Sequence, residues 1–198
     1  MRYLFFIVFL LPFLGNAQKE PDFGEIRADN SFNCGGIAIR DSILFGVNEI
    51  CNSKNHFEFR LSSFYRPGLT RELIILSYNN SSWDIRKYTV KPGSFGLQKS
   101  LTSFDSLYEN NPVASLSFHI ILDTLKNNKA FLIPSQSELK DKLQIFDGPL
   151  YIIAFKLGNK FRSYRYENPE IYIKEFPGIS EYVKLKNIIT ILKNFFTP

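Results

Sequence analysis

Histidine and cysteine are scarce in this chain, at two residues each, beside one tryptophan and one methionine. The histidines and cysteines do not fall at metal-ligand spacings, so no metal site is read. Phosphate-cradling glycine loops, the dinucleotide fingerprint and the serine nucleophile elbow are missing. The run Pro92-Gly93-Ser94-Phe95-Gly96 lacks the glycine needed two residues before its serine. No cofactor is implied. A sharp basic stripe is missing as well, which argues against a nucleic-acid binder. After Ala17 no stretch is apolar enough for a stable membrane span.

The first residues supply what the rest lacks. Arg2 precedes an apolar run, Leu4 to Leu14, interrupted by Pro12, and Gly15-Asn16-Ala17 ends in a small residue before Gln18. This is the pattern of a secretory signal peptide over residues 1–17, with a retained membrane anchor as the alternative. No cysteine stands where lipoprotein cleavage would place it. Residues 18–198 then form a single exported domain, secreted or periplasmic, of a size that can bury a proper core. The chain holds 24 basic against 19 acidic side chains, net +5, and loses one positive charge with Arg2. Mild basicity favours an anionic surface or an acidic partner without specifying one.

Cys34 and Cys51 both lie in the exported part. In an oxidising compartment they are a candidate disulfide closing a loop of about 18 residues, a stabilisation of roughly 3 kcal/mol. Two buried free thiols are the alternative.

Alternation and turn residues lay out hairpins. Residues 36–47 read as one, with a turn at Arg40-Asp41-Ser42 and the cysteines at its outer ends. His56 to Ser63 alternates, with Phe57, Phe59 and Leu61 on one side and Glu58, Arg60 and Ser62 on the other. Glu72–Tyr78 and Trp83–Val90 form a hairpin over a four-residue loop, Asn79 to Ser82. Asn79 and Asn80 match the N-glycosylation pattern and are also good turn residues. Residues 91–112 are the longest irregular candidate, with room for a strand or short helix around Leu101 to Tyr108. The last hairpin lies in the stretch from Asp147 to Tyr166, about Gly158-Asn159, pairing Leu157 with Lys160, Phe155 with Arg162, Ile153 with Tyr164 and Tyr151 with Tyr166. Its first side, Tyr151, Ile153, Phe155, Leu157, Tyr164 and Tyr166, is the expected core face.

Two helices complete the pattern. Val113–Asn127 carries the stripe Ala114, Phe118, Ile121, Leu122 and Leu125, with Val113, Leu116 and Ile120 opposite, so it is expected to be largely buried. Ile179–Phe196 carries Tyr182, Leu185, Ile188, Ile189, Leu192, Phe195 and Phe196 on one stripe, and Lys186, Asn187, Lys193 and Asn194 opposite. Ser135 with Glu138 fits a helix-start capping box. The expectation is an α+β fold: antiparallel hairpins forming one sheet, packed by these two main helices.

Candidate functional residues are few. Lys160, Arg162, Tyr164 and Arg165 form a basic-aromatic run suited to stacking on sugars or bases, or to anchoring a protein partner. His119 and Asp123 neighbour each other on a helix edge, a fragment of acid–base machinery, and Glu138, Asp141 and Asp147 are the nearest carboxylate cluster. The reading is an exported, non-enzymatic binding protein for an unknown protein or cell-envelope component; the alternative is a small exported hydrolase using carboxylates or His119 with Asp123.

The succession Leu132-Ile133-Pro134-Ser135, Asp147-Gly148-Pro149-Leu150-Tyr151-Ile152, Gly158-Asn159-Lys160-Phe161-Arg162 and Tyr164-Arg165-Tyr166-Glu167-Asn168-Pro169, followed by a C-terminal helix, resembles a family of small exported bacterial proteins of uncharacterised function. The resemblance spans about the last third of the chain. It implies an envelope or secreted setting and an alternating strand, hairpin and helix fold, and it transfers no site residues.

Overall fold

The protein is described from a computed structural model covering residues 20–29, 44–65, 70–91, 106–110, 118–139 and 148–196. The signal-peptide segment, Cys34, Asp141, Asp147 and the first strand of the 36–47 hairpin lie outside these residues.

The fold is α+β. Among the described residues six strands form one antiparallel sheet in the order β4-β3-β2-β1-β5-β6: β1 (Phe57–Phe64), β2 (Arg71–Asn79), β3 (Ser82–Lys91), β4 (Ser106–Asn110), β5 (Leu150–Leu157) and β6 (Lys160–Glu167). The helices that lie wholly within the described residues are α1 (Phe118–Asn127), α2 (Pro169–Glu175) and α3 (Ser180–Asn194).

Turn chemistry sets both hairpin registers. β5 and β6 pair as expected, from Leu157 with Lys160 to Tyr151 with Tyr166. Gly158 has φ of 55° and is the only positive-φ residue of its turn, the type II′ pattern. The β2–β3 register also agrees, but the loop is tighter than four residues. Asn79 pairs with Ser82, and the turn is Asn80-Ser81, with φ of 47° and 63°. Positive φ at both central residues is the type I′ geometry, whose twist matches the strands. The irregular 91–112 stretch contains a strand, β4, at the sheet edge.

Local pattern does not show that β1 is central. It pairs with β2 on one side and β5 on the other, and every residue from Phe57 to Ser63 is buried. Its first face joins a single aromatic core. Phe57, Phe59 and Leu61 continue into Ile74, Leu76 and Tyr78 on β2, Ile153 and Phe155 on β5, and Tyr164 and Tyr166 on β6. Ile121, Leu122 and Leu125 of α1 and Tyr182, Leu185, Ile188, Ile189 and Leu192 of α3 close over this face. The ring of Tyr182 stands 5.5 Å from that of Tyr166, edge to face, and 4.9 Å from Tyr172 of α2, stacked. Such pairs add to their area burial. Residues 20–29 are irregular, as their polarity suggests, yet docked: Phe23 stacks on Phe57 at 4.4 Å, and Arg27 N donates to Phe131 O.

Three expectations need correction. Leu44 and Phe45 are helical and Val47 lies in no strand, because both aromatic and aliphatic side chains fold down onto Leu73, Tyr88 and Val90 instead of pairing. Cys51 sits in a 3-10 turn, Ile50–Asn52, not at a strand end. Ile120 is 46% exposed, so α1 buries one stripe only; the sheet takes one side and nothing among the described residues covers the other. The helix α2 had no periodic signal, being seven residues long. Its start is set by Pro169 after Asn168, whose positive φ of 47° and packing against Gly148 leave no room for a Cβ at that glycine.

The second face of β1 is polar and equally buried. Glu58 and Arg60 are 3% and 5% exposed. Arg60 Nε donates to Glu58 Oε1 at 2.6 Å, and Arg60 Nη2 donates to Asn48 O at 2.6 Å. Ser53 Oγ and Asn55 Nδ2 donate to Glu58 Oε2 at 2.5 and 2.7 Å. Lys156 Nζ donates to Ser53 O. These bonds lay the 46–55 segment across the sheet. Glu58→Gln strands a buried guanidinium and is expected to lower stability by roughly 3–5 kcal/mol, whereas the double variant Glu58→Met with Arg60→Met recovers most of that loss. Urea unfolding of wild type and the two variants checks this; equal losses in the single and double variants would refute it.

Candidate functional site

The basic-aromatic run is not one surface. Lys160 is exposed at the hairpin tip, and Arg165 is exposed on the opposite side of β6, where it pairs with Glu167. Arg162 is 3% exposed: its Nη2 donates to Ile133 O at 2.7 Å, and its guanidinium lies 5.8 Å over the Tyr164 ring. Tyr164 donates to Ala130 O at 2.9 Å and Tyr166 to Pro134 O at 2.8 Å. Burial raises both phenol pKa values. Arg162 and its tyrosine neighbours therefore satisfy the carbonyls of residues 130–134.

His119 and Asp123 are both exposed on α1. Glu138 closes the expected capping box, accepting from Ser135 N at 3.2 Å, and pairs with Arg27 at 2.9 Å. Among the described residues no cysteine is free, and no group of three or more His, Cys, Asp or Glu side chains could hold a metal. Nor is any helix among them long and apolar enough to cross a membrane.

Two polar constellations emerge that the local pattern did not point to. The first is a groove of about 670 Å³ between the second face of the sheet and the 46–55 segment. Its floor is set by register. Glu58 lies opposite Ser77, and Ser77 opposite Asp84; Arg60 lies opposite Ile75, and Ile75 opposite Arg86. Three strands thus carry an acidic row and, two residues along, a basic row. Strand spacing puts the end members of each row about 10 Å apart at the backbone. Asp84 and Arg86 pair at 2.7 Å and stay half-exposed, and the Tyr88 hydroxyl supports the Arg86 charge ahead of Asp84. Asn48, Asn52, Asn55 and Asn79 supply amides along the sides. Arg60 Nη1 is buried without a hydrogen-bond acceptor. Side-chain amides, two guanidiniums and a carboxylate can hold a polar ligand by orientation-specific hydrogen bonds.

The second constellation lies at the far edge of the helical face. Glu72 accepts from Tyr65 Oη at 3.1 Å, pairs with Lys87 at 2.6 Å and stands 3.8 Å from Lys193 of α3. Lys193 contacts the Tyr65 hydroxyl and lies 4.8 and 5.4 Å from the Tyr65 and Tyr151 ring centroids. Lys193 was expected on the polar side of its helix; its aliphatic stem carries the ammonium inward to these rings. Burial lowers the Lys193 pKa, with Lys87 adding to the effect and Glu72 opposing it. Burial raises Tyr65 and Tyr151. For Glu72 burial opposes ionisation, but Lys87, Lys193 and Tyr65 outweigh it and hold the carboxyl below its ordinary range.

No family model, curated protein or solved structure matches the chain.

The Glu72 network has a pH signature. A carboxyl with a depressed folded-state pKa contributes its stability above the unfolded pKa and loses it as pH falls through the folded value. Wild-type protein is expected to exceed Glu72→Gln by on the order of 1–2 kcal/mol at pH 7, with the gap closing below about pH 4. Urea titrations at several pH values decide it, since a gap independent of pH would mean that ionisation of Glu72 is not involved.

Proposed function

We propose that the protein is an exported, non-enzymatic binding protein whose ligand site is the polar groove on the second face of its sheet. One observation supports this above the rest: a groove of about 670 Å³ is floored by the buried Glu58–Arg60 pair and lined by asparagine amides and the half-exposed Asp84–Arg86 pair. A cavity of that size suits a small polar molecule or the end of a larger one. Its walls are held by side-chain bonds from β1 and β5, so much of the site exists before ligand arrives, which limits the ordering entropy of binding. An exported setting and a Cys34–Cys51 bridge belong to the same reading, since Cys51 sits in the 3-10 turn Ile50–Asn52, next in sequence to the groove-lining Asn52.

The test is a soluble-metabolite and envelope-glycan screen by amide NMR, with Asn79→Trp as the control that fills the rim. Ligands that shift residues 48–55, 75–79 and 82–88 in wild-type protein, and lose the effect in the folded variant, would support the groove. Ligands whose shifts map to Lys160 and Arg165, unaltered by Asn79→Trp, would move binding to the hairpin tip.

A further inference from the structure

We propose that the ligand of this groove is an uncharged saccharide, held through its hydroxyls on a square of side chains formed by Ser77 and Asn79 of β2 and Ser82 and Asp84 of β3. The inference rests on the groove being the binding site and adds the chemistry of its occupant.

The charges of the groove face one another in pairs. Glu58 lies against Arg60 and also accepts from Ser53 and Asn55. Asp84 holds Arg86 at 2.7 Å. A charged ligand would give up its hydration to meet a countercharge that another group already neutralises. Lys54 adds one ammonium to the lining, but it is exposed, where attraction for an anion is weak and screened by salt.

What remains open is arranged by register. Asn79 pairs with Ser82, and Ser77 with Asp84, so the four side chains rise together from the second face of the sheet. Neighbours across the two strands stand about 5 Å apart at Cβ, and neighbours along one strand about 7 Å. A hexose ring with its hydroxyls covers an area of that size. Among the described residues no hydrogen bond engages the side chain of Ser77, Asn79 or Ser82, and Arg86 takes only Oδ2 of Asp84. Amide and hydroxyl groups both donate and accept, as each sugar hydroxyl requires, and the Asp84 Oδ1 adds an acceptor. From the 46–55 segment, Asn52 donates its amide N–H to Glu49 and keeps its amide oxygen as a further acceptor. Ile75, half-buried two residues along from Ser77, offers apolar contact to the C–H side of a ring.

The experiment titrates the protein with D-glucose, N-acetyl-D-glucosamine, cellotriose, chitotriose and D-glucuronate, followed by amide NMR at low and raised salt. A neutral sugar is expected to shift the backbone signals of residues 77–79 and 82–84 and the Asn79 side-chain amide. Its affinity should not change with salt and should be no weaker than that of glucuronate. Ser82→Ala and Asn79→Ala, which break no side-chain hydrogen bond among the described residues, are each expected to weaken binding by about threefold to tenfold. Asp84→Asn, which keeps an acceptor at Oδ1, should lose less than Asp84→Ala. Tighter binding of a trimer would support the inference with a glycan chain as the source, and equal affinity for monomer and trimer would support it with a free sugar. Tighter binding of glucuronate that fades with salt, unchanged affinity in both Ser82→Ala and Asn79→Ala, or no shift of these residues by any neutral sugar overturns the inference. The groove reading survives that result if other ligands of the screen are still lost in Asn79→Trp.

Discussion

The structure depends on the position of β1, hydrogen-bonded to β2 and β5 and covered on both faces. A strand so enclosed would ordinarily be apolar throughout. This one alternates, which places a carboxylate and a guanidinium in the interior. Their desolvation is of the same size as their attraction, so the pair is a poor source of stability by itself. What it does is demand partners. Glu58 draws in Ser53 and Asn55, and Arg60 draws in Asn48 O. The path of the 46–55 segment follows from these demands, and with it the groove. An apolar pair at these positions could pack as well, but it would leave that segment without a polar reason to lie where it does.

The same logic accounts for the basic-aromatic strand β6. Residues 130–134 cross the core face without a ladder partner, and a buried carbonyl without a donor costs free energy. Tyr164, Arg162 and Tyr166, at every second position of β6, donate to Ala130, Ile133 and Pro134 oxygens in turn. The alternation that resembles a recognition surface is thus a set of internal donors spaced at the strand period. Arg165, one residue out of phase, faces the other way and is exposed.

What could be read beforehand was local. Turn residues placed both hairpins in register, because Gly158-Asn159 and Asn80-Ser81 allow few loop geometries. The apolar stripes of α1 and α3 and the Ser135–Glu138 box were equally plain. What could not be read was long-range. The β1–β5 pairing joins segments some ninety positions apart in number, and no turn signals it. Burial of Glu58, Arg60 and Arg162 follows from that pairing and from the 130–134 crossing, neither of which alternation along a single strand can show. The helix α2 is too short to show a period, and Ile120 shows that an apolar residue on a helix need not have a partner. The cross-strand rows that floor the groove required the β1–β2 register as well as the β2–β3 one, and only the latter was legible.

Where function sits can be argued from which polar groups the fold leaves incompletely used. Arg27 is engaged by Glu138, Arg165 by Glu167, and Lys87 and Lys193 share Glu72. Arg162 leaves one nitrogen without an acceptor, but it lies between β6 and the 130–134 crossing, outside the groove lining. Arg60 also leaves one, sealed beneath the 46–55 segment and beside the groove. Both guanidiniums of that groove keep a carboxylate beside them, Arg60 with Glu58 and Arg86 with Asp84, so its charges come as paired opposites and not as a field of one sign. A groove built that way discriminates through the direction of its hydrogen bonds more than through net charge, and the chain as a whole, only mildly basic, adds no strong long-range field.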